Sequence, residues 1–218
     1  PPNFMPGKMI DVIGGSSQAV ERFCDGFPRT AWGADIGIKL AGAGGDGAQT
    51  AALLLARAAI NESFDSTHIP SYGPESRGGT SYADVRIAGD EVLSPAAPEP
   101  HILVAFNAPS VAKFAPHVPE GGVVVYDSSV VAQLPPLRPG VKAVGVPFTQ
   151  VAASLGKMIV KNIVALGALQ EATRLFPQET FLTAIRQALS DKCALIPLNE
   201  EAFAWGVKKA AEAGKGDA

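Results

Sequence analysis

The chain has 218 residues, 47% of them apolar and 18% charged, and its 18 Lys and Arg against 21 Asp and Glu leave a formal net charge of −3. That length supports a full hydrophobic core, and that balance excludes disordered or strongly basic chains, so no nucleic-acid partner is expected. Arg57, and later Lys161 with Asn162, interrupt the longest apolar runs well short of the roughly eighteen residues of a membrane span, and no secretory signal is visible in residues 1–8. A cytoplasmic protein without a membrane partner is the expectation.

The only two cysteines, Cys24 and Cys193, lie far apart and in no paired motif, which argues against a disulfide scaffold, a zinc site or a cluster held by four thiolates. No metal site is expected in this chain.

Residues 1–35 mix Pro, Gly and Ser with one short helix-like patch at 18–23 and read as an N-terminal extension, either a subunit-wrapping arm or a loosely packed terminus. From residue 36 strands and helices alternate. Residues 36–41 predict a short buried strand, 42–47 a turn, and 48–61 an Ala- and Leu-rich buried helix. A second strand is expected near 66–69. Residues 81–87 alternate, with Ala83, Val85 and Ile87 on one face and Tyr82, Asp84 and Arg86 on the other, which predicts a half-buried strand and leaves an edge position open. Short aliphatic runs at 101–106, 123–126 and 143–146 predict three further strands, with a helix near 110–115 between the first two.

Beyond Pro147 the pattern is helical, over 149–169, 178–189 and 200–213, with Asn199 as a candidate N-cap for the last. The sum is an α/β fold: a doubly wound, mostly parallel, Rossmann-like sheet with a helical C-terminal part, residues 36–218 forming one domain.

Gly42-Ala43-Gly44-Gly45-Asp46-Gly47 satisfies G-x-G-x-x-G between a predicted strand and helix, where glycines allow a phosphate close to backbone N–H groups. A nicotinamide site should also place an acid at the end of the second strand. Asp65 precedes that strand instead, and Asp46 puts negative charge in the turn itself, so a structural turn or another ligand stays open. Tyr72-Gly73-Pro74-Glu75-Ser76-Arg77-Gly78-Gly79 is dense in glycine and carries both charges, the composition of a loop with unusual dihedrals and a functional tip. A local Glu75 to Arg77 ion pair is the simpler explanation of those charges. No nucleophile elbow, zinc-protease helix or P-loop is present, and His68, His101 and His117 are scattered, so no catalytic residue is assigned.

Read together, AGAGGDGAQTAALLLARAA at 41–59, SYGPESRGGTSYADVRI at 71–87, HILVAFNAPS at 101–110 and VGVPFTQVAASLGKMIVKNIVALGAL at 144–169 resemble the gamma subunit, or gamma domain, of 2-oxoacid:ferredoxin oxidoreductases. The resemblance runs over residues 36–209. It implies a hetero-oligomeric enzyme that oxidatively decarboxylates a 2-oxoacid with coenzyme A to an acyl-CoA. Alpha and beta subunits would hold thiamine diphosphate and Mg, and a ferredoxin-like subunit would hold 4Fe-4S clusters. Electrons would pass to ferredoxin or, in some members, through a flavin subunit to NAD.

This chain shows no Gly-Asp-Gly followed by a distant Asn-Asn pair, and two cysteines cannot hold a cubane. Its implied part is to frame the active site and help bind coenzyme A. The residues implied for the coenzyme are Gly44, Gly45, Asp46, Gly47, Asn107, Lys157, Lys161 and Asn162. The family's coenzyme-binding Asn stands at Asn162, and its basic partner two residues earlier is Val160 here, which leaves Lys157 or Lys161 to supply the charge. The alternative for those lysines is the solvated stripe of an amphipathic helix. The loop of Tyr72, Gly73, Pro74, Glu75, Arg77, Gly78 and Gly79 is implied to face the thiamine-binding subunits. Outside the family, a stand-alone nucleotide-binding or regulatory module and a nicotinamide dehydrogenase subunit remain alternatives.

Overall fold

The structure, a computed structural model, describes residues 20–72 and 80–214. Six strands form one sheet in the order β2-β3-β1-β4-β5-β6. They are β1 (Asp35–Ala43), β2 (Asp65–Tyr72), β3 (Thr80–Ala88), β4 (Ile102–Ala105), β5 (Val123–Asp127) and β6 (Lys142–Val146). β1, β4, β5 and β6 pair in parallel, while β3 is antiparallel to both β1 and β2. The mostly parallel α/β fold expected from the sequence is therefore present.

Strand alternation sorts the side chains into two cores. Ile36, Ile38 and Leu40 of β1, with Ile102, Val104, Val123, Val125, Val144 and Val146, form one face. It is covered by helices α1 (Ala48–Asn61), α3 (Phe148–Ser154), α4 (Lys161–Thr173), α5 (Gln178–Ala188) and α6 (Ile196–Ala213). The other face, with Ala41, Leu103, Ala105 and Val124, is smaller and is covered by α2 (Ala108–Phe114) and by residues 131–141. α4 is buried on every face from Lys161 to Gln170 because it lies inside this helical layer. It crosses α6 with backbones nearly touching: a Cβ on Gly167 would lie 2.1 Å from the Phe203 carbonyl, and one on Gly206 2.1 Å from that of Val164.

Four expectations change. β3 is not an edge: it sits between β2 and β1, and Asp84 on its thinly covered face is buried against the ammonium of Lys39 and the N–H of Ala97. The continuous helix over 149–169 is broken, because Gly156 takes a positive φ of 72° and the chain passes through a short 3-10 turn before α4 starts. Asn199 is no N-cap. The last helix begins at Ile196, with Pro in its first turn, and the Asn199 amide donates to the Leu195 carbonyl from inside it. The first strand also extends through Gly42 and Ala43, which shortens the turn after it.

Of the extension, residues 20–34 are described, and they pack on their own chain at the amino ends of the strands. The buried Glu62 carboxylate, at the end of α1, accepts from the N–H groups of Phe23 (3.0 Å) and Cys24 (2.9 Å) and from the Thr180 hydroxyl (2.5 Å). Phe27 meets the Phe64 ring edge-on, and Trp32 stacks on His101 while its indole N–H donates to the Gly121 carbonyl.

Candidate functional site

β1 and β4 are parallel neighbours whose following helices leave to opposite faces, α1 to the larger core and α2 to the smaller one. Such a divergence opens a crevice at the carboxyl ends of the two strands, where open α/β sheets take their ligands. Three of the sequence segments singled out above meet there: the turn 44–47 after β1, Asn107 after β4, and the start of α4.

Asp46 organises the turn. Its N–H donates to the Ala43 carbonyl at 3.0 Å, while its Oδ2 accepts from the Ala43 N–H at 2.7 Å, so one aspartate closes the turn from both sides. Asn107 caps α2 by accepting from the Ser110 N–H at 2.9 Å, and its Nδ2 donates to Asp46 Oδ2 at 3.5 Å across the crevice. The Lys161 ammonium lies 2.7 Å from Asp46 Oδ1 and 3.9 Å from Asp127 Oδ2, with the ring of Phe106 5.7 Å away. Asp127, fully buried at the end of β5, also accepts from the Ser129 and Thr149 N–H groups and the Thr149 hydroxyl. The charge of Asp46 is thus offset by Lys161, a compensation the sequence reading of the turn lacked.

Gly47 has a left-handed φ of 83°, and a Cβ there would sit 2.8 Å from that of Asn162, so the turn can follow α4 this closely only as glycine. Asn162 is buried, and its Oδ1 has no hydrogen-bond partner among the described residues, an unusual condition for a buried acceptor. Gln49, in the first turn of α1, donates from Nε2 to the Ser71 carbonyl (3.3 Å), the Ser81 hydroxyl (3.1 Å) and the Tyr82 carbonyl (2.7 Å). It ties the base of the β2–β3 connection to the glycine turn.

The structure therefore brings together Gly44, Gly45, Asp46, Gly47, Asn107, Lys161 and Asn162, and it leaves Lys157 exposed in the segment ahead of α4. Lys161 is no solvated stripe residue: its side chain is 10% exposed. Gly73, Pro74, Glu75, Arg77, Gly78 and Gly79 lie outside the described residues. The strands that flank them, ending at Tyr72 and starting at Thr80, reach the same end of the sheet as the turn, since Ala43 pairs with Thr80. Asp127 and Gln49 were missed. Asp127 had a readable signal, an acid closing the aliphatic run 123–126, whereas nothing local marks Gln49.

The nicotinamide alternative loses its geometry. A dinucleotide unit needs the second strand beside the first, with an acid at its carboxyl end. Here the antiparallel β3 separates β2 from β1, and Asp65 stands at the opposite end, where it accepts from the Val92 N–H. Among the described residues no group of three or more His, Cys, Asp or Glu is placed to hold a metal ion, and no helix is long and apolar enough to cross a membrane.

A family model described as pyruvate ferredoxin/flavodoxin oxidoreductase matches residues 37–209. The ketoisovalerate oxidoreductase subunit VorA of Methanothermobacter marburgensis is 39% identical over 166 residues, 76% of this chain and 34% of its own, so the chain spans about a third of that relative's length. The keto/oxoacid ferredoxin oxidoreductase gamma subunit of Geobacter sulfurreducens is 31% identical with a TM-score of 0.73, over 82% of this chain and 98% of its own. A 2-oxoglutarate:ferredoxin oxidoreductase of Magnetococcus marinus, solved with 2-oxoglutarate, coenzyme A and succinyl-CoA bound, is 25% identical with a TM-score of 0.74, over 82% of this chain and 31% of its own. Sequence match and shared fold lead to one conclusion: the chain belongs to the pyruvate ferredoxin/flavodoxin oxidoreductase family.

Proposed function

We propose that this chain is the gamma component of a complex that oxidatively decarboxylates a 2-oxoacid with coenzyme A, yielding an acyl-CoA and carbon dioxide and passing two electrons to ferredoxin or NAD. Partner subunits supply thiamine diphosphate with Mg, which stabilises the carbanion left by decarboxylation, and the iron–sulfur clusters that carry the electrons away. This chain forms one wall of the coenzyme A site. The turn 44–47 offers backbone N–H groups to the diphosphate, and Asn162 offers a side-chain amide next to it. The resemblance would turn the loop of Tyr72 to Gly79, of which 73–79 lie outside the described residues, toward the thiamine-binding subunits.

The observation that carries this reading is the buried, unpartnered Oδ1 of Asn162 against Gly47 at the carboxyl end of β1. An acceptor held out of water without a donor costs about 1–3 kcal/mol, and although the diphosphate itself can only accept, a hydroxyl, amide N–H or adenine amino group of coenzyme A that donates to Oδ1 recovers that energy. Likeness to a relative solved with coenzyme A bound supports the ligand class. The test is the complex purified with its native partners, with and without Asn162→Ala. The variant should raise the KM for coenzyme A about tenfold or more with kcat little changed. An unchanged KM in an assembled complex removes Asn162 from the site, and a wild-type complex that forms no acyl-CoA removes the function.

A further inference from the structure

We propose that Lys161 is a positioning residue, which acts on the coenzyme site through Asp46 and makes no contact with the phosphates itself. This rests on the reading of the turn 44–47 as the coenzyme A wall and goes beyond it by assigning how the wall keeps its charge and shape.

The ammonium is already committed. It lies 2.7 Å from Asp46 Oδ1 and 3.9 Å from Asp127 Oδ2, and its side chain is 10% exposed against 20% and 0% for the two carboxylates. Two carboxylates around one ammonium leave a net negative charge, so Lys161 has no surplus positive charge to offer an anion. Swinging it onto a phosphate would strip their cation, the only one paired with them among the described residues, from two poorly solvated carboxylates, a far costlier exchange than losing a surface pair. Asp46 cannot be left unpaired for a second reason. Its Oδ2 holds the Ala43 N–H and so shapes the turn whose N–H groups would face the diphosphate. Without Lys161 the same carboxylate stands as an uncompensated negative charge beside an anionic ligand.

The experiment is a double-mutant cycle on the purified complex, with coenzyme A binding followed by equilibrium titration and by KM against kcat. Lys161→Met should weaken binding about tenfold or more with kcat retained, and Asp46→Asn should shift affinity at least about threefold more favourably in the Lys161→Met background than in wild type. Lys161→Gln, which keeps a donor for Asp46 without the charge, enters the same cycle if Lys161→Met does not assemble.

A direct phosphate contact predicts additivity instead, with Asp46→Asn changing the affinity by the same factor in both backgrounds. That result overturns the proposal, as does an unchanged affinity in Lys161→Met. Failure of the wild-type complex to bind coenzyme A appears before any variant is compared and overturns the coenzyme reading itself.

Discussion

Replacing Gly206 with Ala sets two physical effects of opposite sign against each other. Gly206 lies inside α6, where Ala is favoured over Gly by about 1 kcal/mol in helix propensity, so a reading of local sequence predicts stabilisation. The crossing with α4 reverses this. The new methyl would lie 2.1 Å from the Val164 carbonyl oxygen and 3.0 Å from the Ala168 nitrogen, and both are backbone atoms that cannot rotate away. The two helices would have to separate by roughly 1 Å, which forfeits dispersion contacts along the crossing. Overpacking costs typically 1–3 kcal/mol, and a backbone obstacle argues for the upper end, about 3 kcal/mol; less the propensity gain, the net loss is about 2 kcal/mol. For a chain of this size that lowers Tm by about 4–8 °C. The assay is thermal unfolding followed by circular dichroism. Gly214→Ala serves as the control, because Gly214 has an ordinary φ of −67° and its nearest atom is 3.6 Å away. A Tm at or above wild type in Gly206→Ala would refute the crossing argument.

Glu62→Gln should loosen the segment 20–34, since an amide side chain cannot reproduce the carboxylate's acceptance from Phe23, Cys24 and Thr180 together. Burial and the neighbouring Glu62 charge push the Cys24 thiol up to about 12, so at pH 8 the exposed Cys193 should be alkylated first, with Cys24 labelling accelerating in Glu62→Gln; equal rates in wild type would contradict this. Burial, with Arg86 nearby, lowers the His101 pKa despite the opposing pull of Asp35, and its Nδ1 accepts from the Gly37 N–H. The unfolded chain then binds more protons than the folded one below about pH 6.5, so stability should fall as pH drops from 7 toward 5. His101→Asn should flatten that dependence, and an NMR titration placing His101 above 6.5 would reverse the sign.

Where one element's own residues decide its state, the fold was legible. The helix over 48–61 and the buried faces of β1 and β3 follow from periodicity alone. The misses share a cause, which is that a partner distant in sequence decides the outcome. β3 allowed an edge reading because Tyr82, Asp84 and Arg86 alternate with apolar residues, and it is the pairing of Asp84 with Lys39, 45 residues away, and of Arg86 with Asp35 that makes that polar face compatible with an interior strand. Gly156 breaks a helix that its flanking Ala, Leu and Met residues would otherwise continue. At the site, the glycines and Asn162 were visible by motif and resemblance. The role of Lys161 was not, because its partners Asp46 and Asp127 belong to other elements, and a lysine near the start of a helix reads as solvated until the fold surrounds it.

The segment from Phe23 to Trp32 gives the molecule two unlike poles. At the amino ends of the strands, Glu62, Phe64, His101 and Gly121 are spoken for by residues of the same chain. At the carboxyl ends, the strands bordering residues 73–79 and the glycine turn stop side by side, with the buried acceptors Asn162 Oδ1 and Gln49 Oε1 unmatched among the described residues. Alterations at the first pole should register in melting temperature and thiol protection, and alterations at the second in ligand affinity.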